Sequence, residues 1–241
     1  PGVLAPGIPA WLGSPGRRLG QALTSAALTI PFRPISDAVR RDILRLGRQR
    51  RRPDPSLPSL YGFSPRVVPK PTDWPSTAHV TGYWFLDEPD WTPPAELTAF
   101  LDAGPAPVSI GFGSMLGADP AHLAETVVDA VRRAGVRAVL LSGWGALADS
   151  KSDDILTLPE APHSWLFPRV LGAIHHGGAG TTGAAVRAGV PSIVVPFAVD
   201  QPFWAARLHA LGVAPRPLPA KHLTAGDLAD ALRAIGDVGL R

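Results

Sequence analysis

The sequence predicts an α/β protein organised around a doubly wound parallel sheet, and three observations lead there. From about residue 104 onward, short apolar runs alternate with longer helical segments. The runs are apolar at consecutive positions, so both faces of each strand are to be buried, as in a parallel sheet covered by helices on both sides. With 45% hydrophobic and 18% charged residues and no internal repeat, the chain is also globular and ordered rather than fibrous or disordered.

Residues 16–46 read as two helices broken at "PFRP", because Pro31 and Pro34 cannot sit inside a helix. A proline-punctuated stretch of loops follows, then "HVTGYWFL" (79–86), β-branched and aromatic enough for a strand. "DEPDWTPP" (87–94) has the composition of a linker. The predicted strands are "PVSIGFG" (107–113), "VRAVLLSG" (136–143), "DILTLP" (154–159), "LGAIHH" (171–176), "PSIVVPF" (191–197) and, last, "GVAPRPL" (212–218). The helical segments are "DPAHLAETVVDAVRRAG", "SWLFPRV", "GTTGAAVRAG", "DQPFWAARLHALG" and "TAGDLADALRAIG".

Composition narrows the function classes. No run approaches the roughly 18 apolar residues of a membrane span, and "PGVLAPGIPAW" has no charged n-region, so it is no signal peptide. A chain opening on Pro1 is expected to continue a longer one. Zero cysteines exclude a disulfide framework, a thiolate metal site and a cysteine nucleophile, which fits a cytoplasmic setting. Net charge is only +3, yet Arg40–Arg52 forms a basic cluster. It is either a patch for anionic lipid or nucleic acid, or the solvated face of a surface helix with Ile43, Leu44 and Leu46 turned inward. No aromatic platform interleaves the arginines, so no nucleic-acid partner is expected.

In an open parallel sheet, ligands bind at the loops that leave the carboxyl ends of the strands. Those loops are residues 111–115, 142–145, 159–165, 175–182 and 196–201. The fourth, "HHGGAGTTG", ends a strand in His175-His176 and opens a helix near Gly180. Glycines let the backbone approach a ligand, and unpaired N–H groups at a helix start favour an anion. The alternative is a tight connection with Thr181 or Thr182 as helix cap. "GFGSM" repeats the logic with Ser114. Asp200 and Gln201 open the helix after the fifth strand, either as a cap or as a carboxylate–amide pair for sugar hydroxyls.

Gly178-x-Gly180-x-x-Gly183 also has the spacing of a dinucleotide fingerprint, with Asp200 near the offset of a ribose-binding acid. Against that reading, the loop follows about three earlier strands, and Asp200 starts a helix instead of ending a strand. Walker-type, nucleophile-elbow and HExxH motifs are absent from the sequence. Adjacent strand positions send His175 and His176 to opposite faces, so no metal site is expected there.

The run "APHSWLFPRVLGAIHHGGAGTTGAAVRAGVPSIVVPFAVDQPFWAARLHALGV", with "HVTGYWFLDE" and "SIGFGSM", resembles the family 1 nucleotide-sugar glycosyltransferases of the two-domain GT-B fold. The likeness is to the sterol 3-β-glucosyltransferase type and the antibiotic glycosyltransferases. It implies that residues 1–87 are the last part of an acceptor-binding α/β domain, 88–103 an interdomain linker and helix, and 104–241 the donor-binding domain. It makes Ser114, His176, Gly178, Ala179, Gly180 and Thr181 the diphosphate site, Asp200 and Gln201 the sugar site, and Ala161, Pro162 and His163 part of the nucleobase pocket. Glu160 stands where plant members stack a tryptophan on uracil, and Ala184 where they place a ribose-binding glutamate, so UDP and dTDP sugars both stay open.

The implied reaction is inverting transfer of a hexose, glucose first among the candidates, to a hydroxyl of a lipophilic acceptor such as a sterol or polyketide. The nucleotide sugar is then a substrate, no separate cofactor or metal is implied, and membrane contact would be peripheral at most. The family's general base is a histidine near the start of the acceptor domain, and none of the seven histidines here matches it. The two other readings are a non-catalytic sugar-nucleotide-binding module and a nicotinamide-dependent oxidoreductase.

Overall fold

A computed structural model describes residues 13–47, 56–115, 119–142 and 152–236. The chain divides into two compact units, Pro1–Tyr61 with Lys70–Thr81, and Gly62–Pro69 with Gly82–Arg241.

In the first unit, α1 (Gly13–Thr29) runs into a 3₁₀ turn (Ile30–Phe32), α2 (Arg33–Ala38) and a π turn (Val39–Ile43). Pro31 and Pro34 both fall in the first turn of their element, where a missing N–H costs little, so they reset the helix instead of opening it. The inward face expected of Ile43, Leu44 and Leu46 does not exist: they are 71%, 54% and 50% exposed. The helix ends in the π turn and the chain swings away at Arg45, whose φ is +54°, so these residues no longer share a helical stripe. Arg41 pairs with Asp42, and Arg40 donates to the Gly47 carbonyl; Arg48 and Arg50–Arg52 of the basic cluster lie outside the described residues.

A parallel pair of β1 (Ser59–Tyr61) and β2 (Ala78–Val80) completes this unit, with Ser59 opposite Ala78. Tyr61 packs on Trp74 at 4.2 Å, and Lys70 Nζ donates to the Ala78 carbonyl at 2.6 Å. The strand predicted over 79–86 is thus much shorter. Gly82, with φ +85°, leaves the extended region and stops the pairing.

The second unit holds α3 (Ala95–Asp102), β3 (Val108–Gly111), α4 (Pro120–Ala134), β4 (Ala138–Leu141), β5 (Ile155–Leu158) and α5 (His163–Leu166). Then come β6 (Gly172–His175), α6 (Ala179–Ala188), β7 (Ser192–Val194), α7 (Gln201–Ala210) and α8 (Ala225–Gly236). The sheet is all parallel in the order β5-β4-β3-β6-β7. Val108, Ile110, Ala138, Leu140, Ile174 and Ile193 face one side, against Val127 and Val131 of α4 and Leu228, Leu232 and Ile235 of α8. The alternate positions Val139, Leu141, Leu158 and Ala173 face the other, against Leu97, Leu166, Phe167 and Ala185. Period-2 alternation with both sides apolar is the physical content of the consecutive apolar runs.

Local signals set the helix ends. The Asp119 carboxylate accepts the His122 N–H and caps α4, and Gly135 and Gly189, at φ +66° and +65°, turn the chain out of α4 and α6. The segment 212–218, read above as a strand, is not one. Leu218 N–H reaches the Val194 carbonyl and Ser192 N–H the Val213 carbonyl, so it runs beside β7. Pro215 and Pro217 have no N–H to donate, and a continuous ladder cannot form.

Candidate functional site

The strand order reverses direction at β3. From β3 the chain builds outward through β4 and β5, then returns to lay β6 on the other side of β3 and β7 beyond it. Loops leaving β3 and β6 therefore diverge above adjacent strand ends and leave a crevice, which is where doubly wound sheets bind ligands. The register puts Gly111 opposite His175, so "GFGSM" and "HHGGAGTTG" lead off side by side.

The β6 loop is shaped by close approach. Gly177 has φ +87°, and a Cβ there would lie 2.8 Å from Val194 Cγ1 and 3.2 Å from the Gln201 carbonyl. Gly177→Ala is therefore expected to lower the unfolding free energy by about 2–4 kcal/mol, through strained backbone plus overpacking, as read by denaturant melts. An unchanged midpoint would contradict this account of the turn.

Gly178 is the N-cap of α6, and no side chain caps the helix. The threonine-cap alternative therefore does not hold; the Thr182 hydroxyl is buried without a hydrogen-bond partner among the described residues. The Thr182 N–H reaches the Gly178 carbonyl at 2.9 Å, leaving the N–H groups of Ala179, Gly180 and Thr181 ahead of the first helical bond. Free donors of this kind, with the positive end of the helix dipole behind them, are what binding of an anion requires. Gly183, the last glycine of the fingerprint spacing, has a packing role: a Cβ there would sit 2.5 Å from the Tyr83 ring.

The two histidines divide as strand alternation requires. His175 is 1% exposed, and its Nδ1 accepts the Gly177 N–H at 3.1 Å while its Nε2 is buried without a partner among the described residues. Burial, with a smaller contribution from the neighbouring histidines, pushes its pKa down to about 3. His176 is half-buried and lies over the opposite loop end: Cβ atoms built on Gly178 and Gly113 would fall 2.5 Å and 3.6 Å from its ring. Burial lowers its pKa, and the Asp200 carboxylate pulls the other way. Ser114 is exposed in the turn after β3, next to Gly113, whose φ is +58°.

Asp200 occupies the N-cap position of α7 but makes no cap hydrogen bond. One carboxylate oxygen instead accepts the Trp204 indole N–H at 2.9 Å. Gln201 is 6% exposed, and its Oε1 accepts from the N–H groups of Phe197 and Ala198 at 2.7 and 3.1 Å. Both lone pairs of that oxygen are thereby used, so the side chain has only its NH₂ to offer a ligand, not the donor-and-acceptor pair expected from sequence.

Ala161, Pro162 and His163 line a cavity of about 700 Å³, within the size range of small-molecule sites. Ala184, Arg187 and Ala188 of α6 form a second wall, and residues 85–88 a third. The His163 ring lies flat on Phe167 at 4.4 Å with an interplanar angle of 11°. Burial lowers its pKa, with a further contribution from His176; through Ala184, Arg187 and Ala188 the cavity is walled by α6, the helix that the β6 loop opens. The third wall was hidden in the sequence, where 87–94 reads as a linker. Arg187 binds Asp87, 100 positions away, through two hydrogen bonds of 2.7 and 2.9 Å and stacks on Phe85 at 4.5 Å. Residues 143–145 of the β4 loop lie outside the described residues.

Among the described residues no helix is long and apolar enough to cross a membrane. Residues 145–241 match the family described as erythromycin biosynthesis protein CIII-like, C-terminal domain. The sterol 3-beta-glucosyltransferase UGT80A2 of Arabidopsis thaliana is 43% identical over 185 residues, covering 76% of this chain and 29% of that protein. The O-mycaminosyltylonolide 6-deoxyallosyltransferase of Streptomyces fradiae is 48% identical over 181 residues, covering 73% of this chain and 41% of its own length. The chain thus spans less than half the length of these relatives. Among solved structures, the glycotransferase of kitacinnamycin superposes with a TM-score of 0.62 at 23% identity, over 76% of this chain and 47% of that one. CalG4, the calicheamicin glycosyltransferase, gives 0.60 at 19% identity, over 76% and 45%. The fold is that of the GT-B glycosyltransferases, and residues 145–241 carry the EryCIII-like C-terminal domain.

Proposed function

We propose that residues 104–241 bind the nucleotide-sugar donor of a hexosyltransferase. The observation that carries this is the uncapped start of α6 beside His176, at the switch point of the sheet. A diphosphate would meet the N–H groups of Ala179, Gly180 and Thr181, the His176 ring and Ser114. The nucleoside would enter the cavity bounded by Ala161, Pro162 and His163. Asp200 would accept from sugar hydroxyls while Gln201 donates to them. In an inverting displacement at the anomeric carbon, charge grows on the departing diphosphate, and donors already fixed around it stabilise that charge without reorganising.

The hexose, the choice between UDP and dTDP, and a lipophilic acceptor hydroxyl belong to the same proposal. The names of the two relatives, a sterol glucosyltransferase and a deoxyallosyltransferase, support a hexose as the transferred group. The acceptor's proton needs a base, and the described histidines outside the loops are His79 in β2, His122 in the first turn of α4, His209 hydrogen-bonded to the Ala214 carbonyl, and His222 in a 3₁₀ turn before α8. The chain is therefore expected to bind UDP-glucose in calorimetry, to ignore NADPH, and to form little product with a mixed acceptor panel. Binding of NADPH in place of UDP would overturn the donor reading, and robust turnover would overturn the external base.

A further inference from the structure

The cavity beside the β6 loop contains one acidic side chain that the fold does not use. Of its two carboxylates, Asp87 is held by both guanidinium nitrogens of Arg187. Glu88 lines the same cavity, and its side chain has no hydrogen-bond or ion-pair partner among the described residues. Its backbone is fixed all the same: the Glu88 carbonyl accepts the Trp91 N–H at 3.2 Å, and the preceding residue is anchored to α6. Opposite it, Ala184 and Ala188 expose only methyl groups, so that wall offers no side-chain acceptor.

A nucleoside diphosphate seated with its phosphates at the start of α6 and its base near His163 carries its ribose between them, along the cavity wall that Ala184 and Ala188 of the same helix provide. A ribose presents two adjacent hydroxyls, and an ionised carboxylate accepts two O–H bonds at once. Building on the donor reading above, we infer that Glu88 holds the ribose hydroxyls of the donor nucleotide and gives the site a preference for ribonucleotides over 2′-deoxyribonucleotides. Asp87 and Arg187 act as positioning residues that hold the 85–88 segment against α6.

The experiment compares UDP with dUDP, which differ only at the 2′ position, by calorimetry on the whole chain. The wild type is expected to bind UDP about tenfold more tightly than dUDP, as loss of one charge-assisted hydrogen bond implies. Glu88→Ala should bring the ratio close to one, and Glu88→Gln should restore part of it. Glu125→Gln, which removes an exposed carboxylate of α4 away from the cavity, should leave the ratio unchanged. UDP binding with the same ratio in wild type and both Glu88 variants overturns this inference and leaves the donor site standing. Failure of the wild type to bind UDP at all overturns both.

Discussion

Replacing His176 by alanine is expected to weaken UDP binding roughly ten- to a hundredfold, the range that corresponds to losing one hydrogen bond to a charged group. The ring is held between the two loops of the crevice, against Gly113 and Gly178, so it does not have to be ordered when the ligand arrives. In the free protein, burial holds its pKa below the ordinary histidine value and Asp200 only partly offsets this. A bound diphosphate would add negative charge beside the ring and raise that pKa, so binding takes up a proton. Affinity should be greatest below the free-state pKa and fall as pH rises through the bound-state pKa, by at most about tenfold per pH unit. The alanine variant should bind weakly and with a flatter pH profile. Calorimetry across pH 5 to 8 reads both quantities, and an unchanged affinity with an unchanged profile would remove His176 from the site.

How much of this was legible in the sequence differs between the fold and the site. Each of β3 to β7 lies inside a run that the sequence marks as apolar on both faces, because burial on two sides leaves no polar alternation to misread. The strand order is a property of crossovers between distant segments, and the pairing of Gly111 with His175 leaves no trace in the local composition of either. Where local reading went wrong, backbone chemistry decided: two prolines prevented a sixth strand, and Gly82 cut short the strand read over 79–86.

The glycine loop announced itself, since glycines and paired histidines after an apolar run are dense local information. Its individual roles were not readable in the same way. Gly177 answers to Val194 and Gln201, Gly183 to the Tyr83 ring, and Gly178 to His176, three different constraints behind one residue type. Gln201 shows the same limit, because its amide oxygen is spent on the N–H groups of Phe197 and Ala198, a turn that only the folded backbone closes. The segment 85–88 is the extreme case. Nothing in "FLDE" points to α6, and only the folded chain brings Asp87 to Arg187.

Acid is expected to destabilise the second unit steeply, and His175 sets the slope. Unfolded, this histidine takes up its proton near its ordinary value of 6.5, and in the folded protein only near 3. Between those limits the unfolded state binds the extra proton, so stability falls as pH drops, by about 1.4 kcal/mol per unit for this one group. His163 and His176 have lowered pKa values as well, and each steepens the slope near its upper end. Carried across the whole interval, His175 alone amounts to roughly 5 kcal/mol, comparable to the total stability of many domains. The ring is nevertheless retained by the turn, since its Nδ1 accepts the Gly177 N–H that starts the β6 loop. His175→Asn should separate the two roles. An asparagine oxygen can take over acceptance from Gly177, while the smaller side chain leaves a void that lowers stability at pH 7 by about 1–3 kcal/mol. Having nothing to titrate, the variant should lose less stability between pH 6.5 and 4.5 than the wild type, by nearly one bound proton. Urea midpoints at those pH values measure the difference, and parallel curves for the two proteins would show that His175 is not what acid attacks.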